Sequence, residues 1–388
     1  MPETRLPDPR LGNGSGDAEV SVSVPTRTSV IESFNLTRFQ FPRRRVIGDS
    51  QVRIDMHHIG TLELHSSSGH TGLGFFESSL FQLPPLPELQ RVFGTEVAPS
   101  LIGLPAAALL NRVSRPRGGN IRVQPFAEAI DQALWDVHAK ELGLPLFRLL
   151  GGTSGRVPAY ASGLDFHLGI DAMQAFFAEA AGRGFSAFKI KVGHPDLAWD
   201  LGRLRAVVDV VGSSARLMVD ANEAWSPKEA IRRAHRFRDA GFDIDWVEDP
   251  CLRDDFDGLR EVRLALPFTR VNAGEYLDLK GKAQLLAADA VDVLNVHGHI
   301  SEALAAARLS ASHGIPLSLG NTPLELGVHL AAALPEVECM EYAFQDYDVL
   351  VDEPIRFRDG YAEAPDRPGH GLVLSEAARS ELARPDAE

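Results

Sequence analysis

After Gly151-Gly152 the sequence settles into a rhythm that few folds can satisfy. Short apolar runs alternate with helix-length stretches, and there are eight such runs: 157–161, 187–192, 217–221, 245–248, 271–275, 291–297, 316–319 and 339–342. Helical text separates most of them, as at 196–211, 227–240, 301–313 and 326–334. Strands joined by helical crossovers pair in parallel, because a parallel neighbour cannot be reached through a tight hairpin. Eight units in strict alternation predict an α/β protein built on a closed (β/α)8 barrel. No short repeated motif accompanies the alternation, which excludes a solenoid.

The 388-residue chain leaves room for a second, smaller unit before the barrel. Residues 1–28 mix Pro, Gly, Ser, Thr and charge without periodicity and read as a flexible leader. From 29 to 77 the text alternates as strands do, with a turn signal at Ser66-Ser67-Ser68-Gly69. A helix is predicted over 125–142. It has Pro125 in its first turn, Ile130, Ala133, Leu134 and Val137 on one face, and Gly143 to cap its end. The domain reading is a leader at 1–28, an α+β domain at 29–152, the barrel at 153–356 and a polar segment at 357–388 that returns to the first domain.

A net charge of −14 argues against broad nucleic-acid binding and against adhesion to anionic membranes. Cys251 and Cys339 are too few for a disulfide framework or a Cys-rich zinc site. With no apolar run long enough to span a bilayer and no signal-like start, the sequence reads as cytoplasmic.

Polar residues at the ends of the barrel strands carry the chemistry. In Phe188-Lys189-Ile190-Lys191-Val192 a period of two sends Phe188, Ile190 and Val192 to the outer helices, so Lys189 and Lys191 point inward. Two ammonium groups in a packed interior need partners. The alternative, an edge strand with a solvated lysine face, remains open at this level. Acidic residues close the next three strands: Asp220 in Val219-Asp220-Ala221-Asn222, Glu248 in Val247-Glu248-Asp249-Pro250, and Glu275 in Ala273-Gly274-Glu275. Taken singly each would be a helix cap or a solvated charge. Three in register at one rim repel unless a cation joins them, and an all-oxygen set favours Mg²⁺.

The ordered set of Lys189-x-Lys191, Asp220, Glu248 and Glu275 resembles the enolase superfamily, in particular its mandelate racemase-like branch. The helix text Glu128–Asp136, then Gly143-Leu144-Pro145-Leu146 and Leu150-Gly151-Gly152, is similar to that family's lead-in to its barrel, and Met340-Glu341-Tyr342 resembles its eighth strand. The resemblance implies an α+β capping domain over a modified barrel, Mg²⁺ held by Asp220, Glu248 and Glu275, and removal of a proton next to a substrate carboxylate. It also implies homo-oligomers acting on a small carboxylate. In this reading Lys191 is the general base, and Lys189 keeps a second charge nearby and touches the substrate carboxylate. Glu341, if protonated, donates to the enediolate. Asn222, Asn321 and one arginine of Arg43-Arg44-Arg45, taken as Arg44, contact substrate. An exposed basic turn is the plainer reading of the arginines.

The other face departs from the racemase pattern. His297 stands where those relatives place an Asp, and Leu319-Gly320-Asn321-Thr322 offers no imidazole, so the His–Asp dyad is missing. His297 is then either a lone acid/base or a structural histidine. His299 reads as a loop or cap residue, His329 as structural, and His57-His58 as strand residues. Gly72-Leu73-Gly74 lacks the rest of a dinucleotide fingerprint. Dehydration of a sugar acid or related hydroxy acid is the expected reaction. Racemisation or epimerisation, cycloisomerisation and a catalytically silent metal-binding barrel are the alternatives.

Overall fold

The computed structural model describes residues 28–78, 82–113, 124–297 and 299–382. The leader expected over 1–28 lies, apart from Thr28, outside them. The first domain is a three-stranded antiparallel sheet in the order β1 (Ile31–Gly48), β2 (Arg53–Ser66), β3 (Thr71–Glu77). The turn expected after Ser66 joins β2 to β3 and passes through Gly69 at φ +83°. Arg43, Arg44 and Arg45 do not form a turn between strands. They lie within β1, where the ladder slips between Pro42 and Ile47. Pro42 has no N–H to give the ladder, so pairing breaks there while the chain stays extended.

Helix Ala127–Glu141 packs on β3 at very short range. A Cβ on Gly72 would sit 2.0 Å from the Ala133 carbonyl oxygen, and one on Gly74 would sit 1.9 Å from that of Ala129. The two glycines therefore let helix backbone touch strand backbone. The outer edge of β3 is covered in the same way: Asp136 accepts from the Leu73 N–H at 2.9 Å and Gln132 from the Phe75 N–H at 2.8 Å. Asp131, on the same helix, accepts from the Ser301 N–H at 2.9 Å and so ties this domain to the barrel.

The second unit is a closed barrel of eight parallel strands: β4 (Arg156–Ser162), β5 (Ala187–Lys191), β6 (Arg216–Asp220), β7 (Ile244–Glu248), β8 (Arg270–Ala273), β9 (Val293–Val296), β10 (Leu317–Leu319) and β11 (Val337–Tyr342). Pairing of β11 with β4 closes it. The helices Leu197–Val211, Pro227–Asp239 and Ile300–His313 match the expected periodicity closely. Below the rim the interior is filled by Tyr160, Met218, Trp246 and Cys339. After β11 a short hairpin, β12 (Arg356–Arg358) and β13 (Tyr361–Glu363), adds antiparallel to β4. The chain then runs to the first domain, where His370 donates its N–H to Asp136 at 2.9 Å and Arg379 pairs with Glu63 at 2.5 Å. Among the described residues no helix is long and apolar enough to cross a membrane.

Candidate active site

Register places the chemistry in rows. Lys191 lies beside Asp220, Asp220 beside Glu248, and Glu248 beside Asn272, so four inward polar residues share one level at the carboxyl ends of β5 to β8. Lys189 lies one layer deeper, level with Met218 and Trp246. Both lysines are buried, and both have found partners. Lys189 Nζ donates to Glu248 Oε1 at 2.6 Å and to Glu341 Oε2 at 3.1 Å; Lys191 Nζ donates to Asp220 Oδ2 at 2.6 Å and to Asn222 Oδ1 at 2.7 Å. The edge-strand alternative is excluded, since β5 is flanked by β4 and β6.

The ion pairs decide the charge states. Burial alone would strip the protons from the lysines, but Glu248 and Glu341 outweigh it at Lys189, and Asp220 does so at Lys191, which is pushed up to about 12. Glu341 is likewise driven up by burial and then held low by the two ammoniums. It also accepts the Asn321 N–H at 3.0 Å. In this arrangement Glu341 accepts from Lys189 and from the Asn321 N–H, whereas a donor was expected of it. Burial and neighbouring carboxyls push Glu248 up. Yet Lys189, Asn295, Trp246 and Asn272 all donate to its two oxygens, at 2.6 to 3.2 Å, which fixes it as a carboxylate.

Charge is nevertheless left over. Burial, then repulsion from Glu341 and Asp220, raises Glu275 to about 7 against the pull of Lys189. Burial and the nearby Glu275 and Asp220 raise Asp249 well above the carboxylate range. Asp220 and Glu248 direct their oxygens at the lysines, and among the described residues no three acidic, histidine or cysteine side chains close on a single point. Buried carboxyls crowded on three adjacent strands, which repel one another when ionised, are the donor set that a hard divalent cation neutralises. The residues fit Mg²⁺.

The backbone at the rim is shaped to present these groups. Asn222, Glu223 and Asp249 turn through positive φ just past β6 and β7 (+44°, +63° and +37°), a region that non-glycine residues enter only under constraint. Gly274 precedes Glu275 at φ +115°, where a side chain would meet Leu294 at 3.0 Å.

Above the rim lies a cavity of about 430 Å³, roofed by the hairpin between β1 and β2. Lys189, Lys191, Asp220, Glu275 and His297 line it, as do Asn222 and Asn321. His297 follows β9, four strands round an eight-stranded barrel from β5, so it faces the cavity from the side opposite Lys191. Burial lowers its pKa, opposed by Glu77 and Glu341. Arg44 is not brought to the cavity. Its side chain is 62% exposed and pairs with Asp348 at 3.6 Å, because the extended course of β1 past Pro42 carries it outward. Its neighbours are used as struts: Arg43 donates to the Gln345 carbonyl at 3.1 Å and Arg45 to that of Phe344 at 3.0 Å. His299 caps helix Ile300–His313 by position, His329 is buried against the His370 carbonyl at 2.9 Å, and His57 and His58 lie in β2.

Several site residues escaped sequence reading. Asp165 accepts the Lys191 N–H at 3.2 Å and pairs with buried Arg203 at 2.6 Å, so it positions the lysine's backbone. Asn272 and Asn295, the donors to Glu248, are polar residues inside apolar strands, and the period-two argument that exposed Lys189 would have found them. Asp49 and Gln51 come from the hairpin of the first domain.

Comparison with known proteins places this architecture. Residues 172–378 match the family described as Enolase C-terminal domain-like, and residues 53–151 match the Mandelate racemase / muconate lactonizing enzyme, N-terminal domain. The chain belongs to the mandelate racemase/muconate lactonizing enzyme branch of the enolase superfamily. A crystal structure from Mesorhizobium loti named for mandelate racemase superposes with a TM-score of 0.89 at 55% identity, covering 92% of this chain and 96% of that one. L-Talarate dehydratase from Polaromonas sp. JS666, solved with Mg and L-glucarate, gives 0.79 at 31% identity over 92% and 98%. The 3,6-anhydro-alpha-L-galactonate cycloisomerase of Streptomyces coelicolor is 35% identical over 66% of this chain and 71% of its own. The superfamily's relatives are thus enzymes of both lyase and isomerase type, and the three-stranded sheet is the capping domain of an enolase-type barrel.

Proposed function

We propose that this enzyme is a Mg²⁺-dependent lyase that removes the proton α to the carboxylate of a sugar acid or related hydroxy acid and eliminates the β-hydroxyl, giving a 2-keto acid. The observation that carries the reading is the opposition of Lys191 and His297 across one cavity whose floor holds surplus carboxylates. Asp220, Glu248 and Glu275 would hold the ion. When bound, it supplies positive charge beside the substrate carboxylate, where abstraction builds negative charge.

The chain's own groups do the rest. Lys191 Nζ takes the α-proton, a role that requires Asp220 to be engaged elsewhere than on that ammonium. Lys189, clamped between Glu248 and Glu341, keeps a fixed positive charge near Lys191 and so favours the neutral amine there. Asn222 orients Lys191 through its side-chain oxygen, and its own N–H is fixed by Asp220 at 2.9 Å. His297, as the imidazolium, gives its proton to the departing hydroxyl, which leaves as water, and returns to the neutral imidazole that burial favours; Asn321 lines the cavity from the next strand's loop.

The same opposed pair supports a second reading, epimerisation, in which a proton leaves one face of the α-carbon and another arrives on the other. Incubation of acid sugars with Mg²⁺ in D₂O separates the two. A semicarbazide-positive 2-keto product, with solvent deuterium on the former β-carbon, supports dehydration; deuterium at the α-carbon without net loss of substrate supports epimerisation. Neither product nor α-exchange from any acid in the panel overturns both readings.

A further inference from the structure

The reacting carboxylate is fixed at the barrel rim, so the substrate's tail must reach the part of the cavity built by the capping domain. Ile47, Ile54 and Leu164 form an apolar patch there. The charges near it are negative: Asp49, Glu77 and Glu223 all line the cavity. Among the described residues the cavity's only basic side chains besides the two rim lysines and His297 belong to Arg253.

Arg253 is already taken. Its backbone N–H and Nε both donate to Glu223 Oε1, at 2.6 and 2.7 Å, and its Nη2 donates to Glu223 Oε2 at 2.5 Å. Its guanidinium also lies 4.4 Å from the centroid of the Tyr276 ring. Glu223 and Tyr276 thus occupy its Nε–Nη2 edge and one face, and the Glu223 carboxylate balances its charge. Glu223 is held in place for the task, in a left-handed conformation with its N–H on the Asp249 carbonyl at 2.8 Å. The arginines of β1 are bonded to barrel carbonyls or to Asp348 instead.

A second carboxylate at the far end of a substrate would therefore lose its water and find Asp49 and Glu77 as like charges, with the one cation there already balanced by Glu223. Building on the reaction proposed above, we infer that the substrate is a monocarboxylate whose distal end carries no negative charge, and that Glu223 enforces this by holding Arg253.

The test uses the full chain with Mg²⁺ and a panel of four- to six-carbon aldonates, each paired with the aldarate that differs only in the terminal carbon. Calorimetry on the Lys191→Ala variant reads binding without turnover, and α-deuterium exchange by the wild type reads chemistry. Within each pair that binds, the monoacid is expected to bind at least tenfold more tightly. Glu223→Gln frees the Arg253 fork and should shrink that ratio at least tenfold, and Glu223→Gln combined with Arg253→Met should restore it. Equal or tighter binding of aldarates by the wild-type cavity, or no binding of any pair, overturns the inference. An unmoved ratio in Glu223→Gln removes Arg253 from it and overturns the assigned role of Glu223. If aldarates win while the wild type still forms a 2-keto product or exchanges an α-proton, only this inference fails; if no acid does either, the underlying reaction fails instead.

Discussion

Arg203 sits at the centre of a buried lattice that fixes Lys191, and replacing it should be among the most damaging single changes in the barrel. Its Nη2 donates to the Asp165 side chain and carbonyl, both at 2.6 Å, and its Nη1 donates to the Leu168 carbonyl at 2.7 Å. Asp165 in turn accepts the Lys191 N–H, and Leu164 beside it accepts the Gly48 N–H of β1 at 2.9 Å. Arg203→Met keeps much of the stem volume but leaves Asp165 as an unpaired buried carboxylate. Breaking a buried pair from one side costs about 3–5 kcal/mol, and the Leu168 carbonyl loses its donor within the same site. Asp165→Asn, which keeps the acceptor for Lys191, should cost about 3 kcal/mol by leaving the guanidinium uncompensated. Because each single change already forfeits the pair, the double variant should cost at least about 2 kcal/mol less than the two losses added together. Urea unfolding of the four proteins at pH 7 measures this cycle. A loss below about 1 kcal/mol for Arg203→Met, or strict additivity, would show that this pair does not brace the strand that carries Lys191.

Other predictions follow from single features. Lys191→Ala should abolish α-deuterium exchange while leaving the circular dichroism spectrum unchanged, and a chelator should abolish the same exchange in the wild type until Mg²⁺ is restored. Gly74→Ala should lower the melting temperature sharply or prevent folding, since the new Cβ would lie 1.9 Å from a helix carbonyl; an unchanged melt would contradict the close packing. Burial lowers buried His329 from 6.5 to about 3. The unfolded chain takes up a proton there below pH 6.5 and the native one does not, so its stabilising contribution is intact above pH 6.5 and is lost as pH falls toward 3. The slope is about 1.4 kcal/mol per pH unit. Unfolding of wild type and His329→Gln at pH 7 and 5 should show the wild type losing more stability by roughly 2 kcal/mol; parallel losses would show that the imidazole is not held neutral.

The barrel was legible because its alternation of strand and helix recurs along the chain, and the inward lysines because period two leaves Lys189 and Lys191 no other side. Asn272 and Asn295 obey the same rule, but a single amide in a short strand stands out less than a charge. Arg44 misleads because three adjacent arginines look like a ligand clamp in sequence; only the structure shows Pro42 keeping the strand extended and barrel carbonyls taking Arg43 and Arg45. Asp165–Arg203 and Glu223–Arg253 join loops and helices from different β/α units, and no local pattern links such partners. Gly72 and Gly74, unconvincing as a nucleotide motif, prove to be a packing requirement of the helix above them. That Glu341 meets two buried ammoniums is a property of the assembled rim, which its own strand does not show.

The most direct test of the central claim is a crystal structure of the protein grown with Mg²⁺ and a non-reacting hydroxy acid. One ion is expected with oxygens of Asp220, Glu248 and Glu275 at about 2.0–2.1 Å, Lys191 released from Asp220, and its amine facing the ligand's α-carbon. An ion bound elsewhere, with Asp220 still on Lys191 and Glu248 still on Lys189, would contradict it.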